Sequence, residues 1–182
     1  ALAGAHQIDN AGLAIAAALS LGALRPGEAA MAEGLRHATW PARLQPLSRG
    51  PLVDALVPGS RILLDGGHNP AAGLALARSL ESMRDGRPLW LVVGMLTTKD
   101  LGGFLRPLAA LASGLVAVPI AEGHLARPPQ EIADAAGELG LAATTAGSPL
   151  DAVRAIAAVG RPVTILICGS LYLAGEVLAT NG

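Results

Sequence analysis

From Arg61 onward the chain alternates short unbroken apolar runs with longer Ala/Leu-rich segments of helical composition. RILLD (61–65) precedes PAAGLALARSLES (70–82), PLWLVVG (88–94) precedes DLGGFLRPLAALA (100–112), and GLVAVPI (114–120) precedes PPQEIADAAGELG (128–140). PLDAVRAIAAV (149–159) reads as a further helix, and PVTILICG (162–169) precedes SLYLAGEVLA (170–179). Runs without polar alternation predict strands buried on both faces, and strands joined by helices predict a parallel sheet. The pattern is that of a Rossmann-like, doubly wound α/β domain with a mostly parallel sheet.

The first sixty residues read differently. QIDNAGLAIAAALSL (7–21) predicts a helix with an Asp/Asn pair suited to its first turn, ended by a Gly/Pro break. Residues 26–37, with Glu28 near the start, predict a second helix. TWPARLQPLSRGPLVDALVPGS (39–60) is proline-rich and lacks a helical period, so it predicts a linker entering one or two short strands. The change of texture places a domain boundary near residues 38–42.

Composition narrows the class. The chain has 182 residues, of which 52% are apolar and 15% charged, a balance that excludes disorder and fits a compact core. A net charge of -1 gives no electrostatic case for nucleic acid or an anionic membrane. Trp40 and Trp90 suit packing, and with one Phe and one Tyr no stacking surface for nucleic acid is evident. The longest apolar runs, residues 11–24 and 107–121, fall short of the ~20 residues a membrane span needs. No secretory signal is visible. One cysteine, Cys168, suits a buried core position in a reduced, cytoplasmic protein. The chain opens without a methionine, already in a helical pattern, which suggests a fragment.

Ligands of such sheets bind at the carboxyl ends of the strands. Three segments there are more polar or glycine-rich than their surroundings: DGGHNP (65–70), GMLTTKD (94–100) and CGSLYLAG (168–175). Asn69 followed by Pro70 is a helix start, since Asn caps free N–H groups and proline lacks none that is needed. Asp65 can accept from ribose hydroxyls and His68, beside a positive helix end, can face an anion; both can equally be solvated loop residues. Lys99, the sole lysine, suits a carboxylate or phosphate as a point charge, with Asp100 as a helix cap and surface partner in the alternative reading. For Ser170, capping the next helix is the stronger local reading, with substrate contact second. His6, His37 and His124 form no metal set by spacing. The phosphate loop G-x-x-x-x-G-K-[ST] does not occur, because Lys99 is followed by Asp100, and the fingerprint G-x-G-x-x-G is absent as well.

Five ordered segments, HQIDNAGLAIAAAL, WPARLQ, LLDGGHNPAAG, VVGMLTTKD and ICGSLYLAGEV, resemble the C-terminal part of folylpolyglutamate synthase/dihydrofolate synthase, a member of the Mur ligase superfamily. The resemblance spans nearly the whole chain. It implies residues 1–40 as the last helices of a central ATPase domain and residues 41–182 as the C-terminal glutamate ligase domain. It further implies an ATP- and Mg²⁺-dependent ligase of folate biosynthesis and one-carbon metabolism, which activates a carboxylate of dihydropteroate or folate as an acyl phosphate and joins it to L-glutamate. Such chemistry depends on positioning and charge neutralisation more than on a nucleophilic side chain.

Carried over by motif, Asn10 is expected at the ATP base, Arg43 at the phosphates and Asp65 at the ribose. His68 is expected near the reacting phosphate or the glutamate, and Lys99 and Ser170 at the incoming glutamate, with His68 and Lys99 in the catalytic role. The Mg²⁺ and pterin ligands are expected upstream, outside this chain, and the chain alone is expected to be inactive without a phosphate loop. Expected partners are ATP, L-glutamate and dihydropteroate or folate, with no nucleic acid and no membrane, in a monomeric protein. The sequence departs from the family pattern at Ala42 (Gly in the family), Gln45 (Glu) and Gly67 (Ala), which puts local backbone geometry in question. Two other readings stand beside this one: a different Mur-type ligase acting on a cell-wall precursor, and a stand-alone α/β binding module without catalysis.

Overall fold

The computed structural model describes residue 4 and residues 6–121 and 125–181, the side chain of His6 excepted; the expectations for His6 and His124 lie outside what is described. The element order is α1 (His6–Leu19), α2 (Glu28–His37), β1 (Gln45–Leu47), α3 (Pro51–Asp54), β2 (Arg61–Leu64), α4 (Pro70–Ser82), β3 (Leu89–Val93), α5 (Leu101–Ala109), β4 (Gly114–Ala117), α6 (Pro129–Glu138), β5 (Ala143–Thr145), α7 (Pro149–Ala157), β6 (Thr164–Cys168) and α8 (Leu171–Asn181). A 3-10 turn at Gly22–Leu24 separates the first two helices.

The six strands form one sheet in the order β1-β2-β6-β3-β4-β5. All neighbours are parallel except β1, which runs antiparallel to β2. Alternation along each strand splits the core in two, as the two-residue period of a strand requires. Leu63, Leu91, Val93, Leu115, Leu166 and Cys168 face α4, α5 and α6. Ile62, Leu64, Val92, Val116, Ile165 and Ile167 face α3, α7 and α8. Both faces are covered, which is why the strands read as unbroken apolar runs.

Three features differ from the sequence expectation. β5 pairs with β4 at the sheet edge although its residues, Ala-Thr-Thr, are half-buried or exposed; partner strand and edge position make it a strand, not its own pattern. α3 is one turn long, entered through Gly50 at φ 91 with Pro51 at its first position, too short to leave a period in the sequence. α2 starts at Glu28, two residues after the expected Pro26.

Among the described residues, neither α1 nor α2 contributes to either core cluster, and Ile8, Leu13, Leu24 and Trp40 are exposed. His37 lies on the exposed face of α2, 3.0 Å from a Glu33 carboxylate oxygen.

Candidate functional site at the carboxyl edge of the sheet

Strands β2, β6 and β3 are adjacent, yet the helices that follow them leave to opposite faces: α4 and α5 to one, α8 to the other. A crevice therefore opens at the carboxyl end of β6, the position at which open α/β sheets take ligands. Backbone bonds join the three loops across it. Asp65 N donates to Ile167 O at 2.9 Å, Gly169 N to Gly67 O at 2.9 Å, and Gly94 N to Cys168 O at 3.3 Å. Gly169 is required here, because its φ is 103 and a Cβ would sit 2.6 Å from the Gly94 carbonyl oxygen.

The DGGHNP segment makes the turn from β2 into α4. Asn69 caps the helix, its side-chain oxygen accepting from Ala72 N at 2.9 Å, with Pro70 behind it. Asp65 is buried and points inward, accepting from Gly67 N at 2.7 Å and from Leu44 N at 2.8 Å. Half-buried His68 places Nδ1 2.9 Å from Gly66 O. A carbonyl only accepts, so Nδ1 carries the hydrogen and Nε2 is left for a ligand.

Arg43 comes from the loop before β1. Ala42 and Leu44 on either side of it have φ of 55 and 44, a left-handed backbone that L residues rarely hold. Position 42 is where the family pattern carries glycine, and the left-handed φ supplies the physical reason. The other departure is absorbed as well: Gln45 Oε1 accepts from Ala42 N at 2.9 Å, so an amide oxygen does what a carboxylate oxygen would. Among the described residues the Arg43 side chain has one bond, from Nη1 to Ala42 O at 3.1 Å. Its Nη1 lies over Gly66, 3.5 Å from where a Cβ would stand.

Arg43, Asp65 and His68 line one pocket of about 190 Å³ at the mouth of α4, closed on one side by Leu171. The other expected residues are not on its wall. Lys99 is half-buried in the loop between β3 and α5, and its ammonium has no ion pair or hydrogen bond among the described residues. Asp100 does not pair with it but caps α5, accepting from Gly103 N at 2.9 Å. Ser170 is buried and its Oγ accepts from Tyr172 N at 3.1 Å, a cap on α8. Asn10 is exposed on α1 and donates to Gln7 Oε1. Cys168, next to this edge, is buried, and burial followed by the nearby Asp65 charge pushes its thiol far up, so it stays protonated.

Arg127 is the residue that sequence reasoning missed. Leu125–Arg127 runs antiparallel to Met95–Thr97, and the Arg127 guanidinium donates to the carbonyl oxygens of Thr97 and Lys99 while pairing with Glu131. It fastens the loop that presents Lys99. No spacing rule announces such a contact, because the partners lie 28 and 30 residues apart.

A larger cavity, about 270 Å³, opens at the opposite, amino edge of the sheet. Its guanidinium groups are engaged: Arg61 with Thr164, Met83 and Asp85, and Arg87 with Asp85 and Gly59. It is a bolted joint between β2 and the α4–β3 turn.

The family model described as "Mur ligase, glutamate ligase domain" matches residues 49–171. The chain is 33% identical over 183 residues to a probable bifunctional folylpolyglutamate synthase/dihydropteroate synthase of Haloferax volcanii, covering 98% of this chain and 20% of that protein. It is 29% identical to the dihydrofolate synthase/folylpolyglutamate synthase of Escherichia coli, over 93% of this chain and 37% of that one. Among solved structures, Mycobacterium tuberculosis folylpolyglutamate synthase complexed with ADP and AMPPCP superposes with a TM-score of 0.83 at 28% identity, covering 98% of this chain and 40% of that chain. The chain thus spans a fifth to two fifths of the length of these relatives.

Proposed function

The chain belongs to the Mur ligase, glutamate ligase domain family, and from that premise we propose that it is the glutamate ligase part of an ATP-dependent folate-pathway enzyme. The full-length protein joins L-glutamate to dihydropteroate, to folate glutamates or to both, and residues 1–40 are the end of its central ATPase domain. ATP phosphorylates the acceptor carboxylate, releasing ADP; the glutamate amine then attacks the acyl carbon, phosphate leaves, and the amine gives up a proton.

The observation that carries this reading is the convergence of Arg43, Asp65 and His68 on one pocket at the mouth of α4. A helix N-terminus and a guanidinium suit a triphosphate, whose charge both offset. Asp65 is the residue for the ribose and Asn10 the residue for the base. His68, with Nε2 turned away from its backbone bond, donates to a phosphoryl oxygen when protonated. Lys99 and Ser170, on the neighbouring strand ends, take the carboxylates of the incoming glutamate.

No group of three His, Cys, Asp or Glu side chains able to hold a metal occurs among the described residues. Mg²⁺ is held by one or two side chains together with phosphates and waters, and on this reading its protein ligands and the phosphate loop are supplied by a segment outside this chain. On this reading the chain alone turns nothing over. The placement is cytoplasmic and the protein monomeric; no described helix is long and apolar enough to cross a membrane.

The test is product analysis with the full-length protein, ATP and L-glutamate, offered dihydropteroate, tetrahydrofolate or a UDP-muramoyl acceptor in separate reactions. The reading expects ADP release coupled to one added glutamate on a pterin acceptor. Use of the muramoyl acceptor alone, or ATP binding without any ligation, contradicts it.

A further inference from the structure

Asp65 is where the two halves of the pocket meet. It is 4% exposed, and its two carboxylate oxygens are spent on different parts of the chain. Oδ1 accepts from Gly67 N and turns the backbone toward α4, while Oδ2 reaches 21 residues back to accept from Leu44 N. The adjacent Gly66 N donates to Ala42 O at 3.0 Å. Two bonds from the end of β2 thus grip the two residues that flank Arg43.

Those two residues need gripping. Ala42 and Leu44 are both left-handed, a conformation that persists only where surrounding structure enforces it. Arg43 stands between them, so the direction of its guanidinium follows from whether they are held. From this geometry we propose that Asp65 is a positioning residue for Arg43: its carboxylate clips the Pro41–Gln45 loop into the strained conformation that sends the guanidinium over Gly66 and the mouth of α4. The inference rests on the nucleotide reading above and deepens it, because the family resemblance gives Asp65 only a contact with the ribose.

A carboxylate suits this work better than any other side chain. It only accepts, it faces two backbone N–H groups, and charge-assisted bonds are about twice as strong as neutral ones. Asparagine is a poor replacement, since its amide nitrogen would confront one of the two donors. A buried N–H left without an acceptor is destabilised by its lost hydration, and the loop relaxes away to recover it.

The experiment is a double-mutant cycle read with modified nucleotides in the full-length protein. Asp65→Asn is expected to lower kcat/KM for ATP by up to about a hundredfold, the scale of an ångström of misplacement. Most of the factor is expected to persist with 2′-deoxy-ATP and 3′-deoxy-ATP, whose missing hydroxyls remove only the ribose contact, and to add little to the loss caused by Arg43→Ala. Hydrogen exchange at the Leu44 amide is expected to accelerate in the same variant. A penalty that vanishes with either deoxynucleotide, or losses at 65 and 43 that multiply in full, would overturn the proposal. If Asp65→Asn does not fold, Asp65→Glu, which keeps the charge and displaces the oxygens, is read in the same way. The Leu44 amide needs no substrate: unchanged protection in the variant sinks the clip itself, whereas a wild-type protein without ligase turnover sinks the nucleotide reading and the Arg43 half of the inference with it.

Discussion

The guanidinium of Arg127 holds the carbonyl oxygen of Lys99 at 3.3 Å and that of Thr97 at 3.0 Å. Lys99 N bonds back to Leu96 O, so the backbone of the turn is tied from both sides while the Lys99 ammonium projects unpaired among the described residues. Part of the Arg127 side chain is expended on this: its Nε is buried without a partner among the described residues.

Arg127→Met is therefore expected to release the loop. In the full-length protein KM for glutamate should rise about tenfold, with KM for ATP unchanged, since the residues proposed to contact ATP lie on other loops. Steady-state kinetics with each substrate varied in turn checks this. Equal losses toward both substrates would make Arg127 a general structural bolt.

Gly73 fixes the spacing of α4 and α5. A Cβ there would overlap the Phe104 carbonyl oxygen and come within 3.1 and 3.2 Å of the Phe104 carbonyl carbon and Cα. Backbone cannot rotate aside as a side chain can, so Gly73→Ala must push the helices apart. Overpacking of this kind destabilises by about 1–3 kcal/mol, which urea unfolding measures. Both helices begin at the carboxyl edge, so the shift also reaches the site, and nucleotide affinity should fall with stability.

Asp85 ties the amino edge. The side-chain hydrogen bond from Arg87 holds its carboxyl down to about 2, against an ordinary value of 3.8, with the Arg61 charge helping. A carboxyl whose pKa is lowered by folding stabilises the protein above its unfolded value and loses that contribution as pH falls toward the folded one. The gap in urea midpoint between wild type and Asp85→Asn should thus be full above pH ~4 and shrink as pH drops toward ~2. A gap that is constant across this window would mean that the Arg87 pairing contributes nothing to folding. The site is solvated, so the full gap should be small.

What the sequence discloses and what it hides follow one division. Segments whose structure is decided locally were legible: the apolar strands, the Asn69-Pro70 start of α4, and Asp100 and Ser170 as caps. Segments decided by a partner were not. β5 is a strand because β4 offers it hydrogen bonds, and its exposed threonines carry no core-facing pattern. Asp65 and His68 were recognisable as surplus polarity at a strand end, but the bond from Leu44 to Asp65 exists only after two loops meet. Arg127 is the same case at longer range. The glycine that the family pattern carries at position 42 became intelligible only through the φ of Ala42.

The central claim is that Arg43, on its clipped loop, meets the triphosphate. Its side chain is half-buried and, among the described residues, makes a single bond to its own neighbour's carbonyl, so the fold hardly depends on it. The most direct measurement compares Arg43→Ala with wild type in the full-length protein, recording ATP-dependent ligation of glutamate and thermal unfolding on the same preparations. We expect kcat/KM for ATP to fall by about a hundredfold or more, with Tm shifted by no more than about 2 °C. A variant whose Tm collapses while its folded fraction keeps wild-type turnover would make Arg43 a structural residue and contradict the account.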